Sequence, residues 1–308
     1  MYYKFLYNKK IFTGIILIIL PFIILLSCSI NQNINRSDKK NNSKKIKVFL
    51  LAGQSNMDGR ARAKNLTAED KVRLEKAKKN VILYYNHQPP VPLQVTKGSE
   101  YIQKKFKAES FFGPELFFGI NMSEQYPEDK IVLIKRSKGG MSLYGAWNSD
   151  WSEEKAKVTN EENQPKLYND FITYADSILK TYNKSEYELC GMLWVQGETD
   201  SGKRFGDKPA EAYEKNLKNL IRSVRKDLAK PDLPFLIFQV GRGKVVEGMK
   251  NTAKTFNNVS LIPQSSDKNS ENYFVKNPPP LGHYTYVSMK RIGRLFFKYY
   301  QDFYANKK

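Results

Sequence analysis

Apolar and polar positions fall into blocks along this chain, and most blocks have the length of a single element. Ile46 to Ala52 (IKVFLLA) is a continuous apolar run closed by Gly53, as expected of a strand buried on both faces. Runs of the same kind recur at Val81–Tyr85, Ile131–Ile134, Leu189–Val195 and Phe235–Val240, with a weaker one at Val259–Ile262. Between them the spacing lengthens to that of helices. Gly113-Pro114 opens a segment in which Leu116, Phe117 and Ile120 share a face, and Tyr168, Phe171, Ile172, Ala175 and Leu179 mark a second. A third is expected with Asp207 as its cap, Pro209 in its first turn, and Tyr213, Leu217, Leu220, Val224 and Leu228 inward. The last follows His283, burying Ile292, Leu295, Phe296 and Tyr299 while Lys290, Arg291, Arg294 and Lys298 face solvent. Strands alternating with helices predict an α/β fold with a mostly parallel sheet covered on both faces. The stretch from Ser142 to Lys166 is long, polar and weakly periodic, and is expected to run over the functional site rather than through the core.

One apolar run stands apart. Ile11 to Leu26 follows Lys4, Lys9 and Lys10 and ends in Leu25-Leu26-Ser27-Cys28. It is shorter than the roughly 20 residues of a membrane span and has the layout of a signal peptide. The LxSC ending resembles a bacterial lipoprotein signal, which implies lipidation of Cys28 and a membrane-anchored protein facing the periplasm or the cell exterior. An uncleaved anchor helix is the alternative, and it leads to the same side of the membrane. Residues 28–45 (NQNINRSDKKNNSKK from Asn31) have almost nothing to bury and are expected to be a flexible tether. Residues 46–308 then form one large domain.

Composition narrows the chemistry. The only histidines are His87 and His283, and with Cys28 assigned to lipid the one remaining thiol is Cys190. No group of these residues has metal-ligand spacing, so neither a metal nor an organic cofactor is expected. The net charge is +20. An anionic partner is one reading of it. Lysines spread over solvent faces are the plainer one and are favoured by their spacing. No nucleic-acid motif accompanies the charge, and no nucleic-acid partner is expected.

Ligands of open parallel sheets bind outside the carboxyl ends of the strands. Just after those ends stand Gly53-Gln54-Ser55-Asn56-Met57, Arg136-Ser137-Lys138-Gly139-Gly140 and Gln196-Gly197-Glu198-Thr199-Asp200, with His283 at the entry to the last helix. A serine, a glycine pair, an amide with a carboxylate, and a histidine are the parts of an acyl-transfer site. The serine hydroxyl needs an imidazole to take its proton, and the developing oxyanion needs donors already aimed at it. The Ser55 N–H, the Gly140 N–H and the Gln196 amide are the candidate donors.

GQSNM at 53–57, KGGMSL at 138–143 and WVQGETD at 194–200 resemble the blocks of SGNH-type hydrolases, and most nearly the sialate O-acetylesterase-like, carbohydrate esterase family 6 branch. The resemblance runs from about Lys47 to Tyr300. It implies a three-layer α/β/α sandwich of flavodoxin-like, SGNH type and a serine esterase that removes O-acetyl groups from a carbohydrate. Ser55 would be the nucleophile, Gly140 and Gln196 would serve the oxyanion, and His283 would be the base. The family usually places Asp three residues before that His, where this chain has Pro280. The family also uses the Glu of the QGE segment in some members, and the expectation is therefore a Ser55–His283–Glu198 triad.

Tyr144, Trp147 and Trp151 are candidates to stack on sugar rings, with packing of a long loop as the alternative. His87 lies in a turn-like segment outside every block, structural or substrate-lining. Two rival functions stay open: a carbohydrate-binding lipoprotein that has lost turnover, and an esterase acting on a non-sugar ester.

Overall fold

Continuous apolar runs become buried strands because helices cover both faces of the sheet they form. The computed structural model describes residues 46–305; the expected signal segment, tether and Cys28 lie outside the described residues. The short segments Ala61–Arg62, Thr96–Lys97 and Ser110–Phe112 form a separate antiparallel sheet. The strands of the main sheet are β1 (Ile46–Gly53), β2 (Val81–Tyr85), β3 (Val91–Pro92), β4 (Lys130–Ser137), β5 (Tyr187–Val195), β6 (Phe235–Phe238) and β7 (Val259–Ile262). Their order across the sheet is β7-β6-β5-β1-β4-β2-β3. All neighbours run parallel except β3, which returns antiparallel along β2.

Side chains leave a strand alternately to its two faces, and the aromatic contacts show what covers each. On one face Phe49 of β1 meets Phe118 and Tyr300 edge-on, with centroids 4.9 and 4.8 Å away. Those rings belong to the helices Pro114–Gln125 and Tyr286–Tyr300. On the other face Trp194 of β5 meets Trp147 at 5.3 Å, and Trp147 meets Phe171 of the helix Leu167–Leu179 at 6.0 Å. Each such ring, taken fully out of water, contributes about 1.5–3 kcal/mol.

Several expectations change. Asp207 makes no side-chain capping bond, and Pro209 sits in a separate turn, Lys208–Glu211, ahead of the long helix Tyr213–Asp227. The stretch 142–166 is no loose excursion: Leu143, Ala146 and Trp147 are buried, and Glu153–Val158 is helical. The helices Ala68–Ala77, Glu100–Phe106 and Lys244–Thr255 are additions to the expected set. The first is set by a capping box in which Thr67 and Asp70 bond each other's main chain.

The strand register gathers the three candidate loops. Gly53 lies opposite Ser137 of β4 and Val195 of β5, so the chain leaves the sheet three times along one row. A bulge contributes to this alignment: Val48 pairs with Leu189 but Phe49 with Gly191, which leaves Cys190 as an extra residue. Without it Trp194, not Val195, would stand opposite Gly53. From β1 the chain goes to the β2 side of the sheet, and from β5 it goes to the β6 side. The gap between β1 and β5 is thus the switch point at which such sheets bind ligands.

Candidate active site

Ser55 opens a single helical turn, Ser55–Asp58, directly after β1. The approach to it is tight. A Cβ on Gly53 would lie 2.1 Å from the Val195 carbonyl oxygen, and Gly53 holds φ +150°, so only glycine fits there. The Ser55 hydroxyl forms no hydrogen bond with any described residue. Gly139 lies against it, since a Cβ there would be 3.4 Å from the Ser55 Cβ. Gly140 follows at φ +78° with open space on its Cβ side, and its N–H meets no acceptor among the described residues.

The motif blocks lock together through buried side chains. Gln54 Oε1 accepts from the Gly197 and Thr199 N–H groups, each at 3.3 Å. Asn56 Nδ2 donates to Glu198 Oε1 at 2.6 Å. Asp200, 1% exposed, takes the Leu143 and Tyr144 N–H groups at 2.9 Å and the Gln196 amide at 2.5 Å. Burial pushes its carboxyl up to about 7 against the pull of those three donors. Glu161 fastens the same loop from below, accepting from the Ser142 and Ala146 N–H groups at 2.8 and 2.7 Å.

His283 comes from the other end of the chain. Its ring stands edge-on to Phe106 at 5.3 Å, and its Nδ1 is hydrogen-bonded to the carbonyl of Leu281. Burial lowers its pKa to about 4, with the Leu281 carbonyl opposing and the Arg60, Lys105 and Lys276 charges adding to the drop. The imidazole is therefore neutral at pH 7, as a base must be. Arg60 links this region to Ser55: it is held by Asp58 at 2.5 Å, and its Nη2 is 3.6 Å from where a Gly139 Cβ would be. No hydrogen bond joins His283 to Ser55 in this structure; such contacts often close only when substrate is bound.

Three site expectations are corrected. Glu198 does not hold His283: one of its oxygens is taken by Asn56 and the other has no partner. Gln196 is fully buried, and its amide hydrogens go to Asp200 and to the Met141 carbonyl at 3.2 Å. It fixes the loop and is not free to receive an oxyanion. Trp147 is a core residue with 0% exposure and cannot touch a sugar. Trp151 and Tyr144 keep part of their surface exposed, the first with the Lys166 ammonium 4.0 Å from its ring centroid and the second held through its main-chain N–H on Asp200, and stacking on a sugar stays open for both.

Gln54, Asn56, Asp200 and Glu161 have no assigned role at the level of sequence. Their signal is present in part, as polar residues adjoining apolar runs, but nothing in the sequence tells which loops they join. His87 lies outside this cluster, pairing with Asp170 at 3.0 Å beside the Tyr174 ring.

A cleft of about 400 Å³ opens next to Gly139. Arg60, Arg136, Lys97 and Lys138 stand in its wall, against Asp58 as the one acidic lining residue. Arg60 is paired with Asp58 and Arg136 with Asp170. Lys97 and Lys138 have no acidic partner among the described residues, so the cleft carries net positive charge. No group of His, Cys, Asp and Glu among the described residues is arranged to hold a metal ion.

Comparisons with known proteins agree with this layout. A family model described as carbohydrate esterase, sialic acid-specific acetylesterase, matches residues 45–301. No curated protein sequence matches the chain. A protein of Arabidopsis thaliana is similar in structure, with a TM-score of 0.61 and 19% identity over 84% of this chain and 99% of that one. NanS is similar with a TM-score of 0.57 and 13% identity, covering 85% of this chain and 98% of its own. A carbohydrate acetylesterase from Xanthomonas citri has a TM-score of 0.51 and 19% identity, and the match spans 81% of this chain but 54% of that one. At these identities the likeness is one of fold.

Proposed function

Since the chain belongs to the carbohydrate esterase, sialic acid-specific acetylesterase family, we propose that it hydrolyses O-acetyl esters of a sugar through an acetyl-enzyme on Ser55. The observation that carries this is the position of Ser55: first residue of the turn after the central strand, hydroxyl unbonded among the described residues, against Gly139 at the edge of a polar cleft. Ser55 Oγ attacks the acetyl carbon while His283 Nε2 takes its proton. The Ser55 and Gly140 N–H groups receive the oxyanion. The sugar oxygen leaves with the proton returned by His283, and water then frees acetate by the same route. Glu198 and Gln196 act through Asn56, Asp200 and the 141–144 loop, holding the reacting groups in place.

The cleft favours an acidic sugar. Lys97 and Lys138 give an anionic group a charged partner that a neutral xylan would not use. In this reading the protein is exported and held at a membrane by lipid on Cys28, and works without metal or organic cofactor.

The test is acetate release by the full-length protein from O-acetylated sialic acid, acetylated xylan fragments and an aryl acetate. Turnover of all three, fastest on the acidic sugar, is expected. Ser55→Ala should lower it on the order of 10⁴-fold. Turnover of the aryl ester alone would favour a non-sugar ester, and binding of acetylated sugar without turnover would favour a carbohydrate-binding lipoprotein that has lost turnover.

A further inference from the structure

The residue three before His283 is Pro280, so this chain lacks a carboxylate at the place its motif leads one to look, and Glu198 does not fill the gap. We propose that the main-chain carbonyl of Leu281 orients the catalytic imidazole in place of a carboxylate, and that Asn277 and Gly282 are the positioning residues that hold that carbonyl against the ring. This rests on the reading of His283 as the base for Ser55.

The segment 275–285 is a narrow antiparallel loop. Thr285 N–H donates to the Val275 carbonyl at 3.1 Å, and Lys276 bridges to Tyr284. Asn277 clamps its base twice, donating to the His283 carbonyl from its main-chain N–H at 2.7 Å and from its side chain at 3.0 Å. Across the tip, Leu281 N–H closes a turn on the Pro278 carbonyl at 3.1 Å. Gly282 then takes φ +62° with no atom within 4 Å of its Cβ position. That left-handed step lies between Leu281, whose carbonyl meets Nδ1, and the ring that receives it. A Cβ there would meet no neighbour, so its cost is the backbone preference against positive φ.

The chemistry of the pair fixes the proton. A carbonyl oxygen only accepts, so a hydrogen bond to it requires the proton on Nδ1 and leaves the lone pair on Nε2. That is the tautomer a general base for serine needs, and it is the tautomer an aspartate ordinarily enforces. The Phe106 ring, edge-on at 5.3 Å, limits tilting of the imidazole. The carbonyl differs from a carboxylate in one respect: it selects the tautomer but does not neutralise the imidazolium formed during the reaction.

The chain has only two histidines, which makes a direct test possible. In ¹⁵N-labelled full-length His87→Gln protein, His283 is the sole imidazole, and a long-range ¹H–¹⁵N correlation at pH 7 reads its tautomer. The expected result is a protonated Nδ1 and a bare Nε2. Adding Asn277→Ala should give a mixture of tautomers and, in the otherwise native protein, lower kcat by about 10²-fold with KM little changed, as for a small misplacement of a reacting group. Gly282→Val should do the same, whereas Gly282→Asn, which tolerates left-handed backbone, should restore both tautomer and kcat. A protonated Nε2 in the His87→Gln protein would overturn the proposal. So would Asn277→Ala and Gly282→Val proteins with native tautomer and native kcat. If the tautomers behave as expected but no ester is hydrolysed by the native protein, the esterase reading fails and the orientation by Leu281 stands.

Discussion

Asn56 and Glu198 face each other across the gap between the two central strands, joined by a 2.6 Å hydrogen bond. One belongs to the serine motif and the other to the QGE motif, so this bond sets the serine turn against the loop after β5. The carboxylate is a brace for the nucleophile's neighbour rather than a partner of the base.

The brace makes Glu198→Gln mild. Glutamine keeps a carbonyl oxygen for Asn56, and exchanging a charged for a neutral hydrogen bond costs about tenfold in rate if it is felt fully. Loss of a true orienting carboxylate costs on the order of 10⁴. Steady-state kcat on an aryl acetate separates the two, and a loss on the order of 10³ or more would return Glu198 to the triad.

Activity should persist into acid. His283 is lowered to about 4 by burial, then by Arg60, Lys105 and Lys276, so the acid limb of kcat/KM should lie near pH 4 to 5 and not near the ordinary imidazole value of 6.5. Arg60→Gln should move that limb upward. The sign for stability comes from linkage: the unfolded chain binds this proton more tightly, so His283 contributes stability above pH 6.5 that is lost as pH falls toward 4. A pH–rate profile with its acid limb at 6.5 in the native protein would contradict the buried, cation-flanked setting.

Trp147→Ala should unfold rather than impair binding. The ring is fully buried between Trp194 and Phe171, and truncating such a side chain costs about 3–5 kcal/mol. Urea denaturation should show the loss, while KM for any sugar stays near native in protein that remains folded. A raised KM with unchanged stability would put the tryptophan back in the binding site.

Cys28→Ser should shift the protein from the membrane fraction to the soluble fraction, or leave it unprocessed, when expressed in a bacterium with the full leader. Anchoring by two or more acyl chains is firm where one is marginal. Intact mass of the native protein checks the same point, and an unmodified Cys28 would remove the anchor.

The strands and the serine loop were legible because each rests on a local signal. A strand buried on both faces must be a run of apolar residues, and Ile46–Gly53 is one. The fold of the SGNH type arises from those runs and the helices between them. The charged helix Ala68–Ala77 buries only Asp70, Leu74 and Ala77, so its apolar period hardly rises above the background, whereas Lys244–Thr255 carries a readable helical period in Val245, Met249 and Thr252. The partner of His283 was illegible for a stricter reason: it is a main-chain carbonyl, which every residue carries and no sequence marks. Gln196 and Trp147 mislead for a third reason. Their types suit a ligand as well as they suit the interior, and only the surrounding contacts decide.

The bulge at Cys190 bears on how this chain can change. Leu189 pairs with Val48 and Gly191 with Phe49, so deleting Cys190 alone would straighten the strand and leave every pairing from Phe49–Gly191 to Gly53–Val195 in place. A residue added between Gly191 and Trp194 has no such slack: with alternation of period two it would turn Trp194 from its aromatic neighbours and start the QGETD block one step out of phase with the serine turn. Loss of the extra residue in β5 is therefore tolerable where gain of another is not, whereas the loop tip at Pro278–Pro280 stands exposed and can vary in length provided Asn277 still meets His283 and the Leu281 carbonyl still reaches its ring.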